Sequence, residues 1–164
     1  MPFHTADLCD RYEDQVRAGT IRVVEPMFNP YGGKDSFHGP IATLKVFEDN
    51  TLVRAALEQP GNGRVLVIDG GGSRRCALVG DQLAALAVRN GWAGIVVYGC
   101  VRDAHALGDM DIGILALATH PLKSIKKGAG DAGIAVTFGG VVFRPDEYLY
   151  ADRDGVLVSP EALL

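Results

Sequence analysis

The chain is poor in the residues that staple or anchor a protein. It has three cysteines in 164 residues, Cys9, Cys76 and Cys100. Their odd number, wide spacing and apolar neighbours exclude a disulfide framework and fit reduced thiols in a cytoplasmic protein. No pair has the spacing of a zinc site. His4, His38, His105 and His120 are scattered without HExxH or other ligand spacing, so each reads as a surface or structural histidine. Long hydrophobic runs are missing, which excludes a membrane span. The opening stretch, MPFHTADLCD, has no basic region followed by an apolar one, so no signal peptide is expected. Positive charge is also short. Lys and Arg number 16 against 20 Asp and Glu, a formal net charge of −4. A nucleic-acid binder needs a basic patch to neutralise phosphates, so direct nucleic-acid binding is not expected. An acidic balance does suit a protein partner with a basic surface.

Glycine is plentiful, with 21 residues that punctuate short segments. The length suggests one domain over residues 1–164, long enough to bury roughly two thirds of its unfolded surface without metal or disulfide. Thr5 is positioned to cap a short first helix, with Leu8 and Tyr12 on one face. Residues 23–33 hold two prolines and read as loop. A strand is expected over 41–47, then a helix capped by Asp49 or Asn50 and running to about Gln59, with Leu52, Val53, Ala56 and Leu57 on its apolar stripe. Residues 64–69, RVLVID, form a near-continuous apolar strand, the pattern of a parallel sheet covered on both faces. A helix over about 81–90 and a strand over 95–98 complete a βαβ unit, for which a right-handed crossover is expected.

A short helix over 103–107, a strand over 112–117 and a loop over 123–133 follow. The last third changes character. Strands over 134–138 and 141–143 meet at Gly139-Gly140, a hairpin signal, and those over 148–151 and 156–158 flank the turn Asp152 to Gly155. The expected fold class is therefore mixed α/β, a parallel centre with antiparallel β additions.

Nucleophile and phosphate motifs are absent: no GxSxG, no GxxxxGK[ST], no GxGxxG. Gly70, Gly71 and Gly72 after a strand read as a tight turn. Lys123, Lys126 and Lys127 lie in a polar loop with no sign of the burial that a Schiff-base lysine needs.

One stretch carries a chemical signal. GDQLAALAVRNGWAGIVVYGCVRD places Asp81 at the start of the crossover helix and Arg102-Asp103 at the exit of the next strand. Ligands of α/β units bind outside the carboxyl ends of strands, and the first N–H groups of a helix are unpaired and favour an anion. Gly80, Asp81, Gln82 and Leu83 could then grip one carboxylate together with the fork-shaped Arg102. Blander readings stand beside this one. Asp81 is also a good N-cap, Asp103 could cap the 103–107 helix, and Arg102 and Asp103 could be a solvated loop pair.

The chain resembles the RraA-like family, which joins regulators of ribonuclease E activity to class II 4-hydroxy-4-methyl-2-oxoglutarate aldolases. The matching stretches are TADLCD, EPMFNPYGGKDSFHGPIATLKVFEDN, GRVLVIDGGG, ALVGDQLA, NGWAGIVVYGCVRD, DIGILALATHPLKS and VTFGGVVFRPDEYLYADRDGVLV. The resemblance implies a swivelling β/β/α fold, assembled as a homotrimer or stacked into a hexamer. The aldolase members carry Asp, twenty residues, then Arg-Asp; Asp81, Arg102 and Asp103 fit without a gap. By this resemblance Asp103 binds a divalent metal, Mg²⁺ or Mn²⁺. The backbone of residues 80–83 and the Arg102 side chain hold the pyruvyl part of a 2-oxo acid, and Asp81 positions a proton-handling water. The implied activity is retro-aldol cleavage or oxaloacetate decarboxylation. The implied alternative is a regulator that docks on and inhibits ribonuclease E. A third reading attached to the family, a methyltransferase of menaquinone synthesis, is rejected for want of GxGxxG and an acidic ribose-binding position.

Overall fold

The computed structural model describes residues 2–164. Helices α1 (Thr5–Arg11) and α2 (Glu13–Arg17) lead into strands β1 (Arg22–Val23), β2 (Asn29–Pro30) and β3 (Phe37–Lys45). Then come α3 (Thr51–Leu57), β4 (Val65–Asp69), β5 (Ala77–Val79), α4 (Asp81–Arg89), β6 (Gly94–Val101), α5 (Ala104–Leu107) and β7 (Gly113–Thr119). The chain finishes with β8 (Asp131–Ala132), β9 (Val136–Phe138), β10 (Val141–Phe143), β11 (Tyr148–Ala151) and β12 (Val156–Ser159). No described helix is long and apolar enough to cross a membrane.

The main sheet runs β1-β12-β11-β3-β4-β6-β7-β2, with β5 paired to β6 and β8 to β3. Its centre is parallel: β3 with β4, β4 with β6, and β6 with both β5 and β7. Its flanks are antiparallel. Every residue of β4 is buried, as a strand covered on both faces must be. Side chains alternate across the sheet with period two. Leu66 and Ile68 face α3 and α4, joining Val53, Leu57, Leu83 and Ala87. Val65 and Val67 face the other way, toward Phe138, Val141 and Phe143 of the β9–β10 hairpin. The layers are thus helices, sheet and hairpin. Gly139 and Gly140 turn that hairpin with φ of 60° and 72°, the left-handed pair a two-residue turn of this twist demands.

Several expectations need correction. Strand β3 begins at Phe37 because Phe37 to Pro40 pair with β11, a partner more than 100 residues away, and it ends at Lys45, leaving Phe47 59% exposed. Residues 23–33 contain part of β1 and all of β2, and residues 123–133 contain β8, each ordered only by a distant strand. The hairpin's first strand starts at Val136, and Ile134 is exposed. Thr5 does not cap its helix. The Asp152 carboxylate does, accepting from Thr5 N–H at 2.7 Å and from its hydroxyl at 2.6 Å. Strand β5 was not expected at all, and it decides where the site lies.

Candidate active site

Three short residues explain how Asp81 reaches Arg102. Ala77 and Val79 of β5 lie parallel against Cys100 and Val101 of β6, and Arg102 N–H donates to the Val79 carbonyl at 2.9 Å. The two strands therefore end side by side. Gly80 and Asp81 leave one, and Arg102 and Asp103 leave the other. The crossover helix does not create this meeting; the pairing of β5 with β6 does.

Helix α4 begins at Asp81 with Gly80 as its N-cap, and no side chain of the local sequence bonds its first turn. The Asp103 carboxylate does so instead, with Oδ2 accepting from Asp81 N–H at 3.0 Å. Two of the three blander readings thus fail: Asp81 does not cap α4, and Asp103, although N-terminal to α5, makes no side-chain bond to it. Asp103 sits in the left-handed region at φ 60°, a conformation uncommon outside glycine that clusters at functional sites. Gly80 has ordinary extended φ, so its lack of a side chain serves a different purpose. A Cβ there would stand 2.6 Å from Asp103 Oδ2 and 3.3 Å from Arg102 Cγ. Gly80 is the gap through which the acid reaches the helix.

The next two amides of α4 remain open to a ligand. Gln82 and Leu83 could bond only to the carbonyls of Leu78 and Val79 in a continuous helix. Neither bonds to them: the Leu78 carbonyl accepts from Asn50 Nδ2 at 3.1 Å and the Val79 carbonyl from Arg102 N–H at 2.9 Å. The Gln82 side chain is exposed, and Leu83 is buried in the core.

A cleft of about 130 Å³ covers this corner, lined by residues 77–83, Arg102 and Asp103, together with Asn50, Arg54, Lys123 and Lys126. These last four were not anticipated. Asn50 and Arg54 share a face one turn apart at the start of α3. Lys123 arrives because its backbone bridges to Ala77 and the Leu122 carbonyl accepts from Ala77 N–H at 2.8 Å. Nothing in the spacing of the loop signals that. The lining carries four cationic side chains against two carboxylates, so it favours an anion carrying more than one negative charge. Arg102 leans on the loop as well, its guanidinium donating to the Pro121 carbonyl at 3.4 Å.

The donor set also suits a hard cation. Asp81 and Asp103 bring only oxygen to one cleft, and among the described residues no three His, Cys, Asp or Glu side chains cluster into a ready-made metal cage. Mg²⁺ commonly takes one or two carboxylates and keeps waters for the rest.

The glycine turn is not a phosphate cradle. Gly70 and Gly72 N–H groups both donate to the Tyr98 carbonyl at 3.1 Å, and Gly71 N–H to Asp69 Oδ1 at 2.9 Å. Cys76 and Cys100 are buried, Cys9 is half-buried, and burial pushes all three thiols up from their ordinary pKa. His38 stacks on Tyr150, as a structural histidine does.

Known proteins match this chain over nearly its whole length. A protein of Aromatoleum aromaticum, provisionally named a 4-hydroxy-4-methyl-2-oxoglutarate aldolase, is 64% identical over 164 residues, all of both chains. The solved structure of the RNA-processing inhibitor RraA from Thermus thermophilis superposes with a TM-score of 0.92 at 44% identity, covering 100% of this chain and 96% of the other. A structure from Geobacillus kaustophilus, described as an S-adenosylmethionine:2-dimethylmenaquinone methyltransferase, superposes with a TM-score of 0.91 at 50% identity over 98% and 97% of the two chains. The family model described as RraA-like, Aldolase/RraA, matches residues 5–158, and the chain belongs to that family.

Proposed function

We propose that the protein is a divalent-metal-dependent carbon–carbon lyase that cleaves 4-hydroxy-4-methyl-2-oxoglutarate into two molecules of pyruvate and also decarboxylates oxaloacetate. The observation that carries this reading is the 3.0 Å bond from Asp81 N–H to Asp103 Oδ2, at the corner of one cationic cleft that both acids and Arg102 line. The full-length likeness to the Aromatoleum aldolase supports it.

In this reading the substrate's pyruvyl carboxylate lies on the open Gln82 and Leu83 amides, where the helix dipole adds to their hydrogen bonds. Arg102 holds the same end of the substrate with a fixed positive charge. Asp103, assisted by waters, holds Mg²⁺ or Mn²⁺. When bound, the metal polarises the 2-oxo group and offsets the negative charge that develops there. The bond between C3 and C4 breaks, and its electron pair becomes the enolate of pyruvate. In the aldol reaction the C4 hydroxyl proton passes to a water held by Asp81, and C4 becomes the ketone of the second pyruvate. In oxaloacetate decarboxylation C4 leaves as carbon dioxide, and no hydroxyl proton is removed; in both reactions C3 of the enolate then takes a proton from water to give pyruvate. Lys123, Lys126 and Arg54 supply positive charge for the substrate's distal carboxylate. The chain is read as one domain working as a cytoplasmic homotrimer or hexamer, which light scattering checks.

The test is pyruvate release from both substrates, with Mg²⁺, with Mn²⁺ and with EDTA. Metal-dependent turnover is expected for both. Its absence for both at high enzyme concentration would sink the proposal.

A second reading, an inhibitor of ribonuclease E, is favoured by the likeness to the Thermus RraA structure and by the net charge of −4. A pull-down at low salt with purified ribonuclease E tests it, and failure to bind counts against it. A methyltransferase reading gains nothing from the glycine turn, because its amides are already bonded within the fold.

A further inference from the structure

The polar loop over residues 120–130 is exposed at almost every position, with Ile125 as much as 70% accessible, yet it brings two lysines to the cleft. Two buried side chains hold it there. Ser124 is 3% exposed, and its Oγ accepts from Asn50 N–H at 3.1 Å. Asp49 is 2% exposed, and its two oxygens divide their work. Oδ1 accepts from the Thr51 N–H at 2.9 Å and the Thr51 hydroxyl at 2.7 Å, securing the start of α3. Oδ2 accepts from Lys127 N–H at 2.9 Å and Ala129 N–H at 3.1 Å. Between those two amides Gly128 adopts φ 76°, so the loop folds its backbone N–H groups around the carboxylate as an anion nest does.

A buried carboxylate is costly unless its lone pairs are filled. With four donors supplied, Asp49 is a stable anchor for any segment that provides them. The segment it anchors contains no strand or helix until β8, so little else fixes the position of Lys126.

We propose that Asp49 is a positioning residue of the cleft: it orders the 124–129 loop so that Lys126 stands ready for the distal carboxylate of the substrate, beside the Lys123 that Ala77 holds. This rests on the reading of the cleft as a 2-oxo-acid site. Asp49 itself touches no substrate, and its effect passes through Lys126. Burial alone would raise the Asp49 pKa, but the hydrogen bonds from Thr51, Ala129 and Lys127 outweigh it and hold the carboxyl well below its ordinary range.

The test compares Asp49→Ala with wild type by amide hydrogen exchange and by oxaloacetate kinetics with Mg²⁺. Exchange over residues 123–129 is expected to rise by about tenfold or more as the loop opens locally. KM is expected to rise roughly five- to tenfold with kcat changed less than about threefold, the pattern of lost ground-state binding. In a Lys123→Ala/Lys126→Ala background the same substitution is expected to leave KM where the lysine variant has it, because the two act through one path. Thr51→Ala, which removes only a hydroxyl at the helix end of the network, is expected to lower Tm without moving KM or loop exchange. Should Asp49→Ala fail to fold, Ser124→Ala loosens the same loop without emptying a charged site, and the same pattern is expected of it. Unchanged loop exchange overturns the proposal, as does a KM effect that persists in full without the lysines. Absence of turnover in the wild type overturns the substrate reading instead, and loop exchange then decides the clamp alone.

Discussion

Asp103 caps a helix that starts 22 residues before it: Oδ2 accepts the Asp81 N–H at 3.0 Å, across the gap left by Gly80. One bond thereby fixes the acid, orients the first turn of α4 and closes the corner where Arg102 emerges. It motivates the first two expectations.

Gly80→Ala places a methyl group 2.6 Å from Asp103 Oδ2. The backbone tolerates alanine at this extended φ, so the carboxylate gives way rather than the strand. Activity is expected to fall about 100-fold, because a catalytic group displaced by an ångström costs that much. Tm should move only a few degrees. Full activity in a pyruvate-release assay would show that Asp103 does not need this approach.

Asp103→Ala removes both the cap and the proposed metal ligand. Metal-dependent pyruvate release should be lost, and stability should fall by about 0.5–1 kcal/mol, the ordinary worth of an N-terminal cap. In the wild type, EDTA should stop turnover and added Mg²⁺ or Mn²⁺ should restore it. Denaturant unfolding and the assay read the two losses separately, and an active Asp103→Ala enzyme would remove the residue from the role.

Asp81→Asn separates the two reactions. Aldol cleavage needs its hydroxyl proton removed and should slow by about 100-fold or more, whereas decarboxylation should change less than about fivefold. Equal losses on both substrates would show that Asp81 serves binding instead of proton transfer. The measurement is kcat for each substrate at saturating metal.

Asp152 gives the pH dependence. Burial raises its pKa, but bonds from the Thr5 side chain and from the Thr5, Asp154 and Gly155 N–H groups outweigh that and lower it from 3.8. A lowered folded-state pKa means the unfolded chain takes up the proton first. The contribution is therefore complete above pH 3.8 and is lost as pH falls below it toward the folded value. Asp152→Ala should cost about 1 kcal/mol at pH 7. The gap between variant and wild type should narrow below about pH 3.8, as urea unfolding over a pH series would reveal. A gap that stays constant with pH would refute this account of the cap.

Local pattern sufficed wherever the chain's own periodicity controls burial. The five-residue β4, the inner face of α4 at Leu83 and Ala87, and the Gly139-Gly140 hairpin all follow from residues within a few positions of one another. The spacing of Asp81 from Arg102-Asp103 likewise stands in the sequence, and it named the corner of the fold where the cleft lies. What pattern misassigned were the caps. Thr5 and Asp81 are good N-cap types, but in both helices a carboxylate from far along the chain takes the first amide. A local rule compares a side chain only with its own neighbours, whereas in a packed domain the best acceptor is whichever one the sheet brings closest.

The sequence by itself determined the mixed α/β class, the apolar strands and the charged ends of GDQLAALAVRNGWAGIVVYGCVRD. Only the tertiary structure decided that those ends touch. The reason is β5, three residues with too little pattern to announce a strand, which earn their hydrogen bonds only by lying against β6. The same holds for Lys123, brought to the cleft by Ala77 from 46 residues away, and for the loop of Lys126, whose bonds to Asp49 span more than seventy residues.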